Sequence, residues 1–187
     1  MRIVVAITGA SGAVIGQKLL ENLRDHEVHL IVSKAAKMVI AHELGEGASL
    51  PATACYEEDE WDSPLASSSF LVDAMAIVPC SMKTLSGIAH GYADNLILRA
   101  AENVLRLGRR LVVVPRETPL SLADIENMRR VKLAGAIVLP PNMAYYYRPQ
   151  TVGEVTDFFV GKILDVLGIE HGLYRRWRQG EYSGLGK

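Results

Sequence analysis

The chain has 187 residues, of which 49% are hydrophobic and 22% charged, with a formal net charge of −1. That length suits one sizeable domain rather than two, and so small a charge creates no global field for nucleic acid or anionic lipid. No apolar run approaches the roughly 18 residues that span a bilayer, so neither a membrane nor a nucleic-acid partner is expected.

The first residues, RIVVAI, enter a strand pattern at once, without the charged region or cleavage site of a signal peptide. Cys55 and Cys80 fit no disulfide framework, zinc spacing or CxxC pair. A cytoplasmic location is expected. Five β-rich runs follow in order, at 3–7, 28–32, 74–78, 111–114 and 136–139. Each is almost continuously apolar, as in parallel strands covered on both faces. Helical patterns lie between them near 12–24, 34–44, 83–90, 95–107 and 121–134, with a last one near 152–167. Asp94 and Ser121 are the expected N-caps of two of these, Thr151 with Glu154 reads as a capping box, and Gly168 is placed to stop the last helix. The alternation predicts an α/β fold, a Rossmann-like doubly wound parallel sheet in a single domain. The stretch 45–69 and the tail 170–187 are the least regular.

In such sheets ligands bind beyond the carboxyl ends of the strands, and every one of these ends is polar or glycine-bearing. The first strand ends in TGASG (8–12). That is a phosphate-loop pattern, and equally a structural glycine turn. A nicotinamide site is disfavoured: the second strand ends at Ser33-Lys34, without the acidic residue that holds a ribose diol, and no tyrosine has a lysine four positions later.

The third strand ends in PCSMKT, where Ser81, Lys83 and Thr84 suit a phosphate or the polar edge of a flavin. Cys80 there is either a nucleophile with Lys83 favouring its thiolate or a small packing residue. PRETP follows the fourth strand and sets Arg116 beside Glu117, either a solvated ion pair or a cation with a proton carrier. After the fifth come AYYYRP, Lys162 and the basic RRWR, a possible interface or binding patch. Arg99 and Arg106, seven apart, share one helix face. The acidic EEDE run at 57–60 reads as a solvated loop, the five histidines show no ligand spacing, and no metal is expected.

Taken together, TGASG, Ser33-Lys34, PCSMKTLSGIAHGYADNLILRAAENVL, RRLVVVPRETPL and AYYYRPQT closely resemble the UbiX-type flavin prenyltransferases, of the homo-oligomeric flavin-containing cysteine decarboxylase superfamily. The resemblance runs nearly end to end. It implies a transferase that joins a dimethylallyl group from dimethylallyl phosphate to N5 and C6 of reduced FMN, giving prenylated FMN for a UbiD-type decarboxylase. By the same resemblance, Gly9, Ala10, Ser11, Ser33, Ser81, Met82, Lys83, Thr84 and Arg116 would contact FMN. Tyr146 and Lys162 would hold the donor, with Arg99 and Arg106 helping across a subunit interface. Glu117, Glu43, Ser11 and Trp177 would occupy catalytic positions. A homo-oligomer is implied, a dodecamer, with the tail at an interface or the edge of the site.

The residues agree with that chemistry. There is no aspartate-rich motif of the kind that holds magnesium in diphosphate-using prenyltransferases, and Arg, Lys and Tyr can carry a monophosphate. Aromatic faces can stabilise an allyl cation. The chain departs from the family at Ser67-Ser68-Ser69, where Ser-Gly-Ser is usual, and at Arg106 and Lys162, which replace a common lysine and arginine. Two other readings compete: an oxidative cysteine decarboxylase, disfavoured because SMKT stands where an Ala-Asn motif is expected, and a non-catalytic FMN-binding subunit.

Overall fold

The structure, a computed structural model, describes residues 1–177. Six strands form the sheet: β1 (Arg2–Ile7), β2 (Glu27–Val32), β3 (Ala54–Glu57), β4 (Ala74–Cys80), β5 (Arg110–Pro115) and β6 (Ile137–Val138). Six α-helices accompany them: α1 (Ala13–Glu21), α2 (Lys34–Leu44), α3 (Met82–His90), α4 (Leu96–Arg106), α5 (Leu122–Leu133) and α6 (Val152–Leu167). All strand pairs are parallel, in the order β3-β2-β1-β4-β5-β6. The chain therefore winds outward in both directions from β1 and β4, and the crevice at their carboxyl ends is the topological switch point.

Successive side chains of β1 point to opposite faces. Ile3, Val5 and Ile7 pack with α1 and α6, through Leu19, Leu20, Phe158, Ile163 and Leu164. Val4 and Ala6 pack on the other face with α4 and parts of α3 and α5, through Leu85, Ile97, Ala101, Val104 and Val131. Both faces of the central strands are thus dry, which is why their sequences are continuous apolar runs.

The five expected strands are present. The sixth, β3, lies inside the stretch read as irregular. It is a four-residue edge strand with alternating burial, too short and too half-exposed to leave an apolar run. Ser121 caps α5 in a reciprocal box with Asp124, and Gly168, at φ 78°, ends α6. Two caps differ from expectation. Asn95, not Asp94, caps α4, because its extended backbone points the amide oxygen at the Leu98 N–H, 3.0 Å away. Thr151 caps α6 at the Glu154 N–H (3.1 Å), but the returning Glu154 carboxylate accepts from the Gln150 N–H, one residue earlier than a capping box requires. No helix among the described residues is long and apolar enough to cross a membrane.

Candidate functional site

Thr8 ties the switch point together. Its buried Oγ1 donates to the Pro79 carbonyl (2.8 Å) and accepts from the Ser81 N–H (2.7 Å). The Ser33 N–H donates to the Ile7 carbonyl (3.1 Å) and the Arg116 N–H to the Cys80 carbonyl (3.2 Å), which aligns the ends of β2, β1, β4 and β5 along one edge. Sequence reading passed over Thr8 because a threonine at a strand end has many bland uses. Thr8→Val would leave the Ser81 N–H without its partner. It is expected to cost about 2 kcal/mol, read as a lower urea midpoint, and to weaken FMN binding.

From this edge Ser33 and Ser81 start α2 and α3. Ser33 Oγ accepts from the Ala36 N–H (3.1 Å), while Ser81 Oγ accepts from the Thr84 N–H (3.3 Å) and pairs with Thr84 Oγ1 (3.1 Å). Each cap stabilises its helix by about 1 kcal/mol. It also holds hydroxyls and N-terminal amides toward the crevice, an arrangement that favours anions. Gly9 approaches α2 so closely that a Cβ there would lie 2.5 Å from the Ala35 Cβ, so the loop carrying Ala10 and Ser11 can lie flat beside Ser33.

Of the two readings of TGASG, the structural glycine turn describes its second half. Gly12, at φ 106°, offers no capping side chain to α1. Glu43, from the last turn of α2, supplies the missing anion: its carboxylate accepts from the Gly12 N–H (3.0 Å to each oxygen) and the Ala13 N–H (2.8 Å). The α1 N-terminus is thus satisfied from within the chain, and the free phosphate-binding equipment is that of α3. Glu43 is thereby held against the loop that bears Ser11.

At the end of β5, the Arg116 Nε is buried and has no hydrogen-bond partner. Such a donor is costly unless something accepts from it. Together with Ser81, Thr84 and Lys83 at the start of α3, it fits the anionic and carbonyl-rich edge of a flavin. Glu117 next to it is exposed and forms no ion pair with Arg116; its Oε1 accepts from the Thr118 N–H at 2.9 Å.

Cys80 is buried in the sheet and its thiol is pushed up to about 12 by that burial. It is a packing residue at neutral pH, not a thiolate. Cys80→Ala is expected to cost about 1 kcal/mol of stability and to leave the reaction rate unchanged. Iodoacetamide should alkylate Cys80 only after denaturation.

A second cluster forms on α6. The Tyr146 ring meets Trp177 edge-on at 5.3 Å and Phe158 at 6.2 Å, and Phe158 in turn meets Tyr174 at 4.9 Å. Lys162 lies 5.8 Å over the Tyr174 ring. The segment after α6 folds back along the helix because Gly161 has no side chain: a Cβ there would be 2.6 Å from both His171 Cε1 and Tyr174 Cδ1. Asp165 anchors the same segment. Burial alone would push its carboxyl up, but hydrogen bonds from Arg176, Tyr174 and His171 outweigh that and hold it well below the usual carboxylate range. Tyr146 and Trp177 are therefore in contact, and Lys162 joins the same cluster through Tyr174; the expected tail is described as far as Trp177, with 178–187 outside the described residues.

Arg99 and Arg106 are not part of this cluster. They lie on α4, in the opposite layer, where they share Glu102 at 2.9 and 2.5 Å, and Arg99 also donates to the Ala66 carbonyl (3.0 Å). The EEDE run is a clamp rather than a merely solvated loop: Asp59 and Glu57 pair with Lys34 and Lys37 (both 2.6 Å), and Glu58 accepts from the Lys34 N–H (2.8 Å). Those lysines give it charges to neutralise that lie 20 and 25 residues away in sequence. Among the described residues, no group of three His, Cys, Asp or Glu comes together to hold a metal ion.

A family model described as Flavoprotein matches residues 1–164. The chain is 47% identical to the flavin prenyltransferase UbiX of Methanocaldococcus jannaschii, over 95% of its own length and 98% of the relative's. It belongs to the UbiX flavin prenyltransferase family. A second UbiX, from Thermoplasma acidophilum, is 46% identical over 95% of this chain and the whole of that one. Two solved structures superpose closely. One is described as a dodecameric FMN-dependent UbiX-like decarboxylase from Escherichia coli O157:H7, at TM-score 0.90 and 43% identity, covering 96% of this chain and 100% of that one. The other, a UbiX in complex with FMN and dimethylallyl pyrophosphate, superposes at TM-score 0.89 and 41% identity, covering 95% and 97%. The peptidyl-cysteine decarboxylase EpiD, at 18% identity and TM-score 0.64, shares the fold alone with this UbiX-family chain.

Proposed function

We propose that this UbiX-family chain transfers a dimethylallyl group from dimethylallyl phosphate to reduced FMN, without a metal, and passes the prenylated FMN to a UbiD-type decarboxylase in the cytoplasm. The observation that carries the reading is the buried, partnerless Arg116 Nε on the strand end whose Arg116 N–H bonds the Cys80 carbonyl, one residue before the Ser81–Thr84 cap, in a chain 47% identical to a flavin prenyltransferase.

Bound reduced FMN supplies N5 and C6 as the two nucleophilic atoms. Ser33, Ser81, Met82, Lys83, Thr84 and Arg116 would hold it, and Gly9, Ala10 and Ser11 would allow its close approach. Tyr146 and Lys162 take the donor's phosphate by charge-assisted hydrogen bonds, which stabilise it as it leaves. Arg99 and Arg106, remote within one protomer, add their charge across an interface of a homo-oligomer, a dodecamer like the relative so described. Tyr146 and Trp177 present aromatic surface to the developing allyl cation. Glu117 carries a proton to or from the reacting groups, with Glu43 and Ser11 at the facing edge. The tail up to Trp177 is the rim of the site.

Anaerobic incubation with reduced FMN and dimethylallyl phosphate tests this. A flavin heavier by one dimethylallyl group is expected by mass spectrometry, in the presence of EDTA as in its absence. Protein that binds FMN yet forms no such product from mono- or diphosphate donor would rule the function out.

A further inference from the structure

The Asp165 carboxylate is surrounded by more cations than it needs. Arg176 binds both of its oxygens, Nη2 to Oδ1 at 2.5 Å and Nη1 to Oδ2 at 3.1 Å. The Tyr174 hydroxyl donates to Oδ2 at 2.5 Å. His171 Nδ1 accepts from the Leu173 N–H (3.2 Å), which places the ring proton on Nε2, 3.0 Å from Oδ1. A carboxylate offers about four acceptor sites, so these donors fill it. Lys162, one turn before Asp165 on α6 and half-exposed, keeps only a long ion pair with Oδ2 at 3.7 Å, beyond hydrogen-bond reach.

We infer that Arg176 is a positioning residue for Lys162: by occupying the Asp165 carboxylate it leaves the Lys162 ammonium to the phosphate of the prenyl donor. The inference rests on the proposed role of Lys162 in the preceding reading. Lys162 and Asp165 are spaced i, i+3 and would pair on an isolated helix, giving a neutral couple with little pull on an anion. With Arg176 docked, two cations face one carboxylate, which leaves a surplus positive charge at this end of α6. Docking of the segment does not depend on Arg176, since Tyr174 and His171 also pack over Gly161 and bond Asp165.

The test is calorimetric titration of dimethylallyl phosphate into protein loaded with oxidised FMN, where no turnover occurs. Arg176→Gln is expected to weaken donor binding about tenfold, because Lys162 then falls onto Asp165. Arg176→Lys, which keeps the charge, should stay within about threefold of wild type. The double variant Asp165→Asn/Arg176→Gln should also recover to within about threefold, because no carboxylate remains to capture Lys162. Trp177 emission, recorded in a Trp61→Phe background, should be unchanged by Arg176→Gln. Wild-type affinity in Arg176→Gln, no recovery in the double variant, or a shift in Trp177 emission would each overturn the inference while leaving the proposed function standing. Failure of wild-type protein to bind the donor would overturn both.

Discussion

Glu117→Gln is expected to keep FMN bound and to slow formation of prenylated flavin by a factor of about 10² or more. The wild-type carboxylate is exposed, and its hydrogen bond is to the adjacent Thr118 N–H at 2.9 Å. A glutamine carbonyl can accept that same bond, so the turn between Pro115 and Pro119 keeps its shape. Arg116, whose buried Nε is the proposed flavin contact, is untouched. What glutamine cannot do is take up and return a proton. Flavin absorbance after desalting reports binding, and mass spectrometry of the product reports transfer. Wild-type rates in this variant would remove Glu117 from the chemistry.

Gly161→Leu should be nearly as damaging, although Gly161 has no side chain to offer a ligand. Leucine is the better helix former by about 0.8 kcal/mol, so α6 itself is expected to persist. Yet even the first carbon of the new side chain would sit 2.6 Å from His171 and Tyr174. The returning segment must lift off, taking Arg176 away from Asp165 and Trp177 away from the Tyr146 ring. Displacements of about 1 Å at a positioned site can cost about 10² in rate, and a loss of that order is expected with FMN binding intact. A change in Trp177 emission in the Trp61→Phe background should accompany it. Unchanged emission and rate would show that the docked segment has no part in the reaction.

The strands and their polar ends were legible because each depends on residues close in sequence. A parallel strand buried on both faces must be continuously apolar, and it must stop where the chain meets the crevice; 28–32 ending at Ser33 and 74–78 running to Cys80 and Ser81 show both rules. β3 escaped because an edge strand needs only half of that signal. Ser121 was legible as the cap of the helix that follows it, whereas its return partner Asp124 and the Ser81–Thr84 cap appear only in the structure. Asn95 was missed by one residue because an aspartate and an asparagine side by side are equally good caps until the backbone selects one.

The site divides along the same line. That serines, a lysine, Arg116 and Glu117 gather at strand ends follows from the α/β pattern alone, and so does the sharing of one helix face by Arg99 and Arg106. Which group answers which was decided by tertiary structure, because the partners come from different elements. Gly12 lacks a capping side chain, so α1 accepts the carboxylate of Glu43, 31 residues later and on another helix. Thr8 reaches 71 residues to Pro79 because the sheet order puts β1 beside β4. A bare face at Gly161 lets the chain double back, and only then can Arg176 compete with Lys162 for Asp165. Composition and spacing determine which charges exist; the packing of backbone against backbone determines which of them are spent on one another and which remain for a ligand.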